Sequence, residues 1–329
     1  MEGTVGRKPI VLCADMLPAA MRELMAGRKP VEVDLVFVEK ADDAEKISKV
    51  ADADYILCSW TPIPAQMIEA APRLKLIQKY GIGVDKIDLK AAARRGVPVA
   101  IAAGVNSVAV AETAITLMLA IYKRLCLAHN SLRDGQWLKW ELRTGCYELW
   151  QKTVGLIGGG AIGRAVAKRL SHGFECRVLY YDTVRLSRET ETAMGMTFSP
   201  LDALLREADI VSLHIPLLPE TRGLIGAKEL ALMKPSAVLI NTARGGVVDE
   251  PALIEALQKK TIASAGLDVF AKEPPERDNP LLRMDNVVVT PHNGGGTVDT
   301  MKRIIGHGFD NIMRIERGEP LPEADQVKL

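Results

Sequence analysis

The sequence predicts an α/β protein of two domains, each built on a parallel sheet. Three observations lead there. The chain's 329 residues exceed the usual size of one compact domain. Short β-rich apolar runs alternate with helix-like stretches along most of it, the pattern of strands joined by crossover helices. After a break near residue 104 the same alternation starts again. Hydrophobic residues make up 48% and charged residues 25%, the balance of a folded globular chain and not of a disordered one.

In the first half, strands are expected at Ile10 to Cys13, Val31 to Val38, Tyr55 to Cys58 and Leu74 to Ile77, with Ala/Glu/Lys/Met-rich segments between them. Beyond Ala102-Ala103-Gly104, the apolar and alanine-rich segment Ser107 to His129 reads as one long, largely buried helix suited to connecting two domains. A tryptophan-rich stretch follows, with Trp137, Trp140 and Trp150. The second alternation places strands at Val154 to Ile157, Arg177 to Tyr181, Ile210 to Leu213, Ala237 to Ile240, Ala263 to Leu267 and Val287 to Val289. Gly294-Gly295-Gly296 reads as a hinge, and Thr297 to Arg317 as a last helix. With that helix packed back on the first domain, the chain crosses near Ala103 and near Gly295. The expected domains are then 1–103 with 297–329, and 104–296.

Charge and cysteine usage exclude several function classes. Lys and Arg number 42 against 41 Asp and Glu, so no basic excess exists to draw nucleic acid or an anionic membrane. Cys13, Cys58, Cys126, Cys146 and Cys176 are odd in number and form no CxxC pair, which argues for a reduced compartment and gives no reason to expect a metal. The apolar run Ile10 to Ala14 is too short for a signal peptide core, and Asp15 interrupts it. Val108 to Tyr122, broken by Glu112 and two threonines, falls short of a bilayer's thickness. A soluble cytoplasmic protein is expected.

The strongest local signal is Gly158-x-Gly160-x-x-Gly163. Alone the pattern is common, but here Val154-Gly155-Leu156-Ile157 supplies a preceding strand, and Ile162, Val166 and Leu170 give the following helix an apolar face. Gly158 permits the tight turn, Gly160 lets the backbone approach a pyrophosphate, and Gly163 lets helix and sheet pack closely. The free N–H groups of Ala161 and Ile162 then face the phosphates. Asp182 ends the next strand about 20 residues further on, where a carboxylate accepts bonds from the adenosine ribose and repels a 2′-phosphate. The expected cofactor is therefore NAD, with Arg185 and Arg188 nearby keeping NADP open.

Three side chains follow strands of the second half: Arg244, Glu273 and His292. Ligands of open parallel sheets bind at the carboxyl ends of the strands, so all three can converge on one crevice. Their types suit oxidation of a 2-hydroxy acid, which needs a cation for the carboxylate, a base for the hydroxyl proton and an acceptor for the hydride. Arg244 offers a planar fork for a carboxylate. Histidine titrates at roughly 6.5 in model peptides, which suits His292 to proton transfer, and Glu273 can orient its ring. His292 stands out because Pro291 and Gly294 to Gly296 surround it with little bulk. His129, His172 and His307 read as surface or packing residues, whereas His214 ends a strand and is a candidate to border the cofactor.

These residues sit in blocks that resemble, nearly end to end, the D-isomer-specific 2-hydroxyacid dehydrogenases, the family of phosphoglycerate dehydrogenase, D-lactate dehydrogenase and glyoxylate/hydroxypyruvate reductase. The blocks are Tyr80-Gly-Ile-Gly-Val-Asp85, Asn106-Ser-Val-Ala-Val-Ala-Glu112, Val154-Gly-Leu-Ile-Gly-Gly-Gly-Ala-Ile-Gly163, Leu213-His-Ile-Pro-Leu-Leu-Pro219, Asn241-Thr-Ala-Arg-Gly-Gly246, Leu267-Asp-Val-Phe270 and Thr290-Pro-His-Asn-Gly294. The resemblance implies two Rossmann-like domains, the NAD-binding one inserted into a flavodoxin-like substrate-binding domain. It implies His292 as acid/base, Glu273 as its partner and Arg244 as substrate anchor. Cofactor contacts would come from Ala161, Ile162, Asp182, Thr242, Ala243, Arg244, Asp268, His292 and Gly294, and the backbone of Ile82 and Gly83 would face the substrate carboxylate. It also implies a homodimer formed with the help of the long helix.

Departures from the family's variants narrow the substrate to a small 2-hydroxy or 2-oxo acid. Cys58 stands where phosphoglycerate dehydrogenases place an arginine, Ile82 where phosphite dehydrogenases carry lysine, and Glu273 where formate dehydrogenases use glutamine. Trp60 and Tyr80 are candidates to wall the pocket. A second reading is a NAD(H)-sensing, corepressor-like binding protein, because such proteins resemble the family and keep the same Arg, Glu and His.

Overall fold

The computed structural model describes residues 7–40 and 42–328. Residues 1–6, Ala41 and Leu329, which belong to the first expected domain, lie outside the described residues. The chain divides into two compact units, Met1–Asn106 with Val298–Leu329, and Ser107–Thr297.

The sheet of the first unit contains β1 (Ile10–Cys13), β2 (Asp34–Phe37), β3 (Tyr55–Cys58), β4 (Leu76–Lys79) and β5 (Val99–Ala100), all parallel, in the order β2-β1-β3-β4-β5. Strands covered on both faces tend to be apolar, and β3 is apolar and buried at every position. β4 is buried too but carries Gln78 and Lys79, so an apolar-run reading places it two residues early, at Leu74 to Ile77. β5 is too short to announce itself in the sequence.

The final helix, Val298–Glu316, packs on this sheet. Ile304, Ile305, Phe309 and Ile312, at helical spacing, join Val11, Tyr55, Leu57 and Leu76 in one apolar cluster. At Gly308 the helix passes so close that a Cβ would stand 2.6 Å from the Tyr80 ring. His307, expected as a surface or packing residue, instead bonds through Nε2 to the buried Asp325 at 2.6 Å. Asn311 donates to the same carboxylate and to Gln78 Oε1, both at 3.0 Å. Asp325 Oδ1 also accepts the Ala103 N–H, at 3.1 Å.

The second unit holds β6 (Thr153–Ile157), β7 (Arg177–Tyr181), β8 (Met196–Phe198), β9 (Ile210–Leu213), β10 (Val238–Asn241), β11 (Ser264–Leu267) and β12 (Val287–Val289). They form one parallel sheet in the order β12-β11-β10-β9-β6-β7-β8. Chain order reverses between β6 and β9, the switch point where ligands of such sheets bind.

The helix expected from Ser107 to His129 is two helices, Ser107–Tyr122 and Leu125–Arg133. Arg124 between them has φ +48°, a left-handed conformation that an α-helix cannot pass through. The first helix is core, with Leu117 and Met118 buried beside Val154 and Ile240. The second exposes Leu125, Leu127 and Leu132, and beyond it Trp137, Trp140, Tyr147 and Trp150 are also exposed. Among the described residues, no helix is long and apolar enough to cross a membrane and no His/Cys/Asp/Glu group could hold a metal ion.

Candidate active site

The glycine turn stands at the switch point of the second sheet. Gly158 follows β6 at φ +110°, and a Cβ there would lie 2.5 Å from the carbonyl oxygen of His214, which follows β9. At Gly163 a Cβ would lie 2.1 Å from the Gly158 carbonyl oxygen, so only hydrogen fits between helix and turn. A Cβ at Gly160 meets nothing within 4 Å. Gly160 caps the helix Ala161–Gly173 without any side-chain hydrogen bond, which leaves its first N–H groups for an anion. Asp182, after β7, accepts the Gly159 N–H on Oδ2 at 2.7 Å, so its carboxylate is fixed against the turn.

The neighbouring strand ends carry polar atoms without partners. His214 Nε2 bonds Ser212 Oγ at 3.0 Å, but Nδ1 is buried with no partner. Burial pushes its pKa down to about 4, so the ring is neutral at neutral pH. After β10, the Thr242 hydroxyl is likewise buried and unpartnered. Native proteins leave few such atoms unpaired, and these two sit where a nucleotide would lie. Open space at Gly160, an uncapped helix start and orphaned polar atoms together fit a bound dinucleotide.

A second group of residues assembles after β10, β11 and β12. Asn241 shapes the first loop, donating to the Arg244 carbonyl and accepting the Ala243 N–H, both at 3.0 Å. Arg244 Nη1 donates to the Ala243 carbonyl at 2.7 Å. Gly245 is packed so tightly that a Cβ would fall 1.9 Å from the Phe270 carbonyl, which fixes the turn after Arg244. Asp268, 1% exposed, accepts from Thr290 Oγ1 at 2.6 Å, from the Asn293 N–H at 2.9 Å and from the Gly294 N–H at 2.8 Å. Thr113 donates to the Gly294 carbonyl at 3.1 Å, so the glycine that begins the expected hinge is held on both sides.

His292 stands inside this frame at φ +50°, an uncommon conformation for a side chain of its size. Its N–H donates to the Asp268 carbonyl at 2.7 Å, which helps hold it there. The ring's Nδ1 meets Glu273 Oε2 at 2.7 Å, and Glu273 Oε1 accepts the Phe270 N–H at 3.2 Å. Burial acts to raise the Glu273 pKa. The His292 hydrogen bond and charge, the Phe270 N–H and the Arg244 charge outweigh it and hold the carboxyl below its ordinary value. Arg244, Glu273 and His292, far apart in sequence, thus belong to one frame.

In the first unit, Trp60 follows β3 and is half exposed. Ile82 and Gly83 follow β4, after Gly81 at φ +127°. Tyr80 is buried against the final helix and its hydroxyl has no partner. Sequence reasoning missed Asp15, 1% exposed, which accepts the N–H groups of Ser59 at 2.5 Å, Trp60 at 3.1 Å and Thr61 at 2.9 Å. Only its position just past the first strand marked it. Asn241 was overlooked as an organiser for a similar reason, since its role lies in bonds to backbone.

The turn, the carboxylate held against it after β7 and the switch point define a dinucleotide-binding domain. Residues 115–294 match the family model of the D-isomer specific 2-hydroxyacid dehydrogenase, NAD binding domain. The chain is 39% identical over 321 residues to a glyoxylate reductase of Korarchaeum cryptofilum, covering 96% of this chain and 95% of that one. A hydroxypyruvate reductase of Thermotoga maritima is 39% identical, covering 88% and 92%. Among solved structures, an NAD-dependent formate dehydrogenase from Staphylococcus aureus in complex with NAD superposes with a TM-score of 0.83 at 28% identity, over 98% of this chain and 99% of that one. The chain belongs to the D-isomer-specific 2-hydroxyacid dehydrogenase family. It is an NAD-dependent enzyme.

Proposed function

We propose that the enzyme interconverts a small D-2-hydroxy acid and its 2-oxo acid, with His292 and Glu273 as the acid/base pair and Arg244 as the substrate anchor. The observation that carries this is the 2.7 Å contact between His292 Nδ1 and Glu273 Oε2 in the loop frame shared with Arg244. With Nδ1 directed at the carboxylate, Nε2 is the ring nitrogen that exchanges a proton with the substrate oxygen. In the reducing direction it protonates the carbonyl oxygen as that atom becomes a hydroxyl; in the oxidising direction it takes the proton back. Glu273 orients the ring and stabilises its charged form. Arg244 holds the substrate carboxylate through its planar fork.

Bound NADH supplies the hydride that carbon 2 of the oxo acid accepts. Gly158, Gly160, Gly163 and the N–H groups of Ala161 and Ile162 would hold its pyrophosphate, and Asp182 its adenosine ribose. His214, Thr242, Ala243, Asp268 and Gly294 would border the remainder. In the same reading, residues 104–296 serve as the NAD-binding domain and the rest of the chain as the substrate-binding domain. The backbone of Ile82 and Gly83 would serve the substrate carboxylate, and Trp60 would be a further substrate residue. The names of the glyoxylate and hydroxypyruvate reductases it resembles favour short oxo acids. The exposed apolar arm from Leu125 to Trp150 supports a homodimer, because patches of this kind mark interfaces.

A steady-state screen of NADH oxidation with glyoxylate, hydroxypyruvate, pyruvate and longer 2-oxo acids tests the reaction. Turnover is expected with glyoxylate or hydroxypyruvate. A chain that binds NADH yet turns over none of these acids would overturn the reading.

A further inference from the structure

We infer that Glu191 sets the enzyme's preference for NAD over NADP by holding Arg185 in an ion pair. The inference rests on the reading of Asp182 as the ribose-side carboxylate. Arg185 lies three positions beyond Asp182, in the loop between β7 and the helix Arg188–Met194. An arginine close to that carboxylate is the usual means by which such a fold accommodates a 2′-phosphate. Sequence alone therefore leaves Arg185 as an argument for NADP. The structure shows where its guanidinium goes.

Arg185 Nε bonds Glu191 Oε1 at 2.9 Å and Nη2 bonds Oε2 at 3.1 Å, a bidentate pair. Glu191 is 9% exposed on the helix Arg188–Met194. It is itself fixed by the Tyr180 hydroxyl, which donates to Oε1 at 2.9 Å and accepts the Leu186 N–H at 2.8 Å. On its other side the guanidinium lies 5.5 Å from the Phe198 ring centre. These two N–H···O bonds to one nearly buried carboxylate occupy the Nε–Nη2 edge of the guanidinium and fix its direction, so the edge best suited to grip a phosphate with two bonds is already engaged. The pair is also neutral in sum, so Arg185 offers little net positive charge to a 2′-phosphate.

Glu191 is thus a positioning residue: it acts on the cofactor through Arg185. Glu191→Gln keeps an oxygen for the Tyr180 hydroxyl but removes the charge that holds the guanidinium. Calorimetric titration of the purified full chain with NADPH and with NADH reads the effect without turnover. The NADPH Kd is expected to fall about tenfold in Glu191→Gln, the scale of one charge-assisted hydrogen bond, with a much smaller change for NADH. In the double variant Glu191→Gln/Arg185→Gln the gain should vanish. Arg185→Gln alone should bind NADPH as weakly as the wild type, because the wild-type arginine is already engaged.

An unchanged ratio of the two Kd values in a folded Glu191→Gln protein would overturn the inference. So would weaker NADPH binding in Arg185→Gln alone, a result that does not depend on Glu191→Gln folding. Wild-type binding of NADPH as tight as NADH would instead overturn the Asp182 reading beneath it.

Discussion

At the scale of single residues, the proposed roles separate charge from proton transfer. If Arg244 anchors the substrate, its fork is one that a lysine cannot reproduce, so Arg244→Lys should lower kcat/KM for the 2-oxo acid by roughly a hundredfold, the cost of a lost bidentate charge-assisted pair. Unchanged kcat/KM would remove Arg244 from the substrate site. His214 makes a prediction about acid stability. An unfolded chain protonates its histidines near 6.5, whereas burial keeps native His214 neutral until about 4. Between those values the unfolded state binds more protons, so His214 has no effect above 6.5 and lowers stability as the pH drops below it. His214→Gln should therefore lose less Tm than the wild type between pH 7.5 and 5; equal losses would show that the buried ring does not matter. The sequence displayed Arg244, Glu273 and His292 as types in suggestive places. It could not display Asp15 or Asn241, whose carboxylate and amide speak to backbone groups brought near only by the fold.

At the scale of elements, the turn from Gly158 to Gly163 assigns different duties to its glycines. Gly163→Ala puts a methyl group 2.1 Å from a backbone oxygen, and neither partner is a side chain that can swing aside. It should cost about 1–3 kcal/mol in denaturant unfolding. Gly160→Ala meets nothing within 4 Å and should change stability by less than about 0.5 kcal/mol, while weakening NADH binding in a titration by occupying space needed for the pyrophosphate. Equal destabilisation by the two would contradict this division. A strand with a continuous apolar run, such as β3, was legible because burial on both faces favours that composition. β5 and β8 were not: they are two and three residues long, and Met196-Thr197-Phe198 lacks the unbroken β-branched run that marks the equally short β12. Nor was the break at Arg124, because apolar residues continue on both sides: those before it are core, and several of those after it face outward.

At the scale of the molecule, the two sheets share one logic: parallel strands and a reversal of strand order. The first unit is completed by the last segment of the chain, where Ile304, Ile305, Phe309 and Ile312 supply apolar contact and Asp325 gathers His307, Asn311 and Ala103. The apolar periodicity of that helix was visible in the sequence. The polar cluster was not, since pairing between a buried aspartate and a histidine depends on tertiary approach. On the second unit, the arm with its exposed leucines and tryptophans should bury itself against a second copy. Light scattering coupled to size exclusion is expected to give twice the mass of one chain, and Trp137→Ser/Trp140→Ser should shift the population towards single chains. A wild-type protein of single-chain mass would dismiss the homodimer.

The same arm carries three of the four tryptophans from which the protein emits. The chain's four tryptophans, Trp60, Trp137, Trp140 and Trp150, are 50%, 74%, 66% and 52% exposed, so each indole already meets water in an isolated folded chain. Intrinsic emission should then start at long wavelength and respond little to the unfolding of a lone chain. Association would be the event that dries three of these rings, and a blue shift that grows with protein concentration would make the fluorimeter a gauge of assembly rather than of folding.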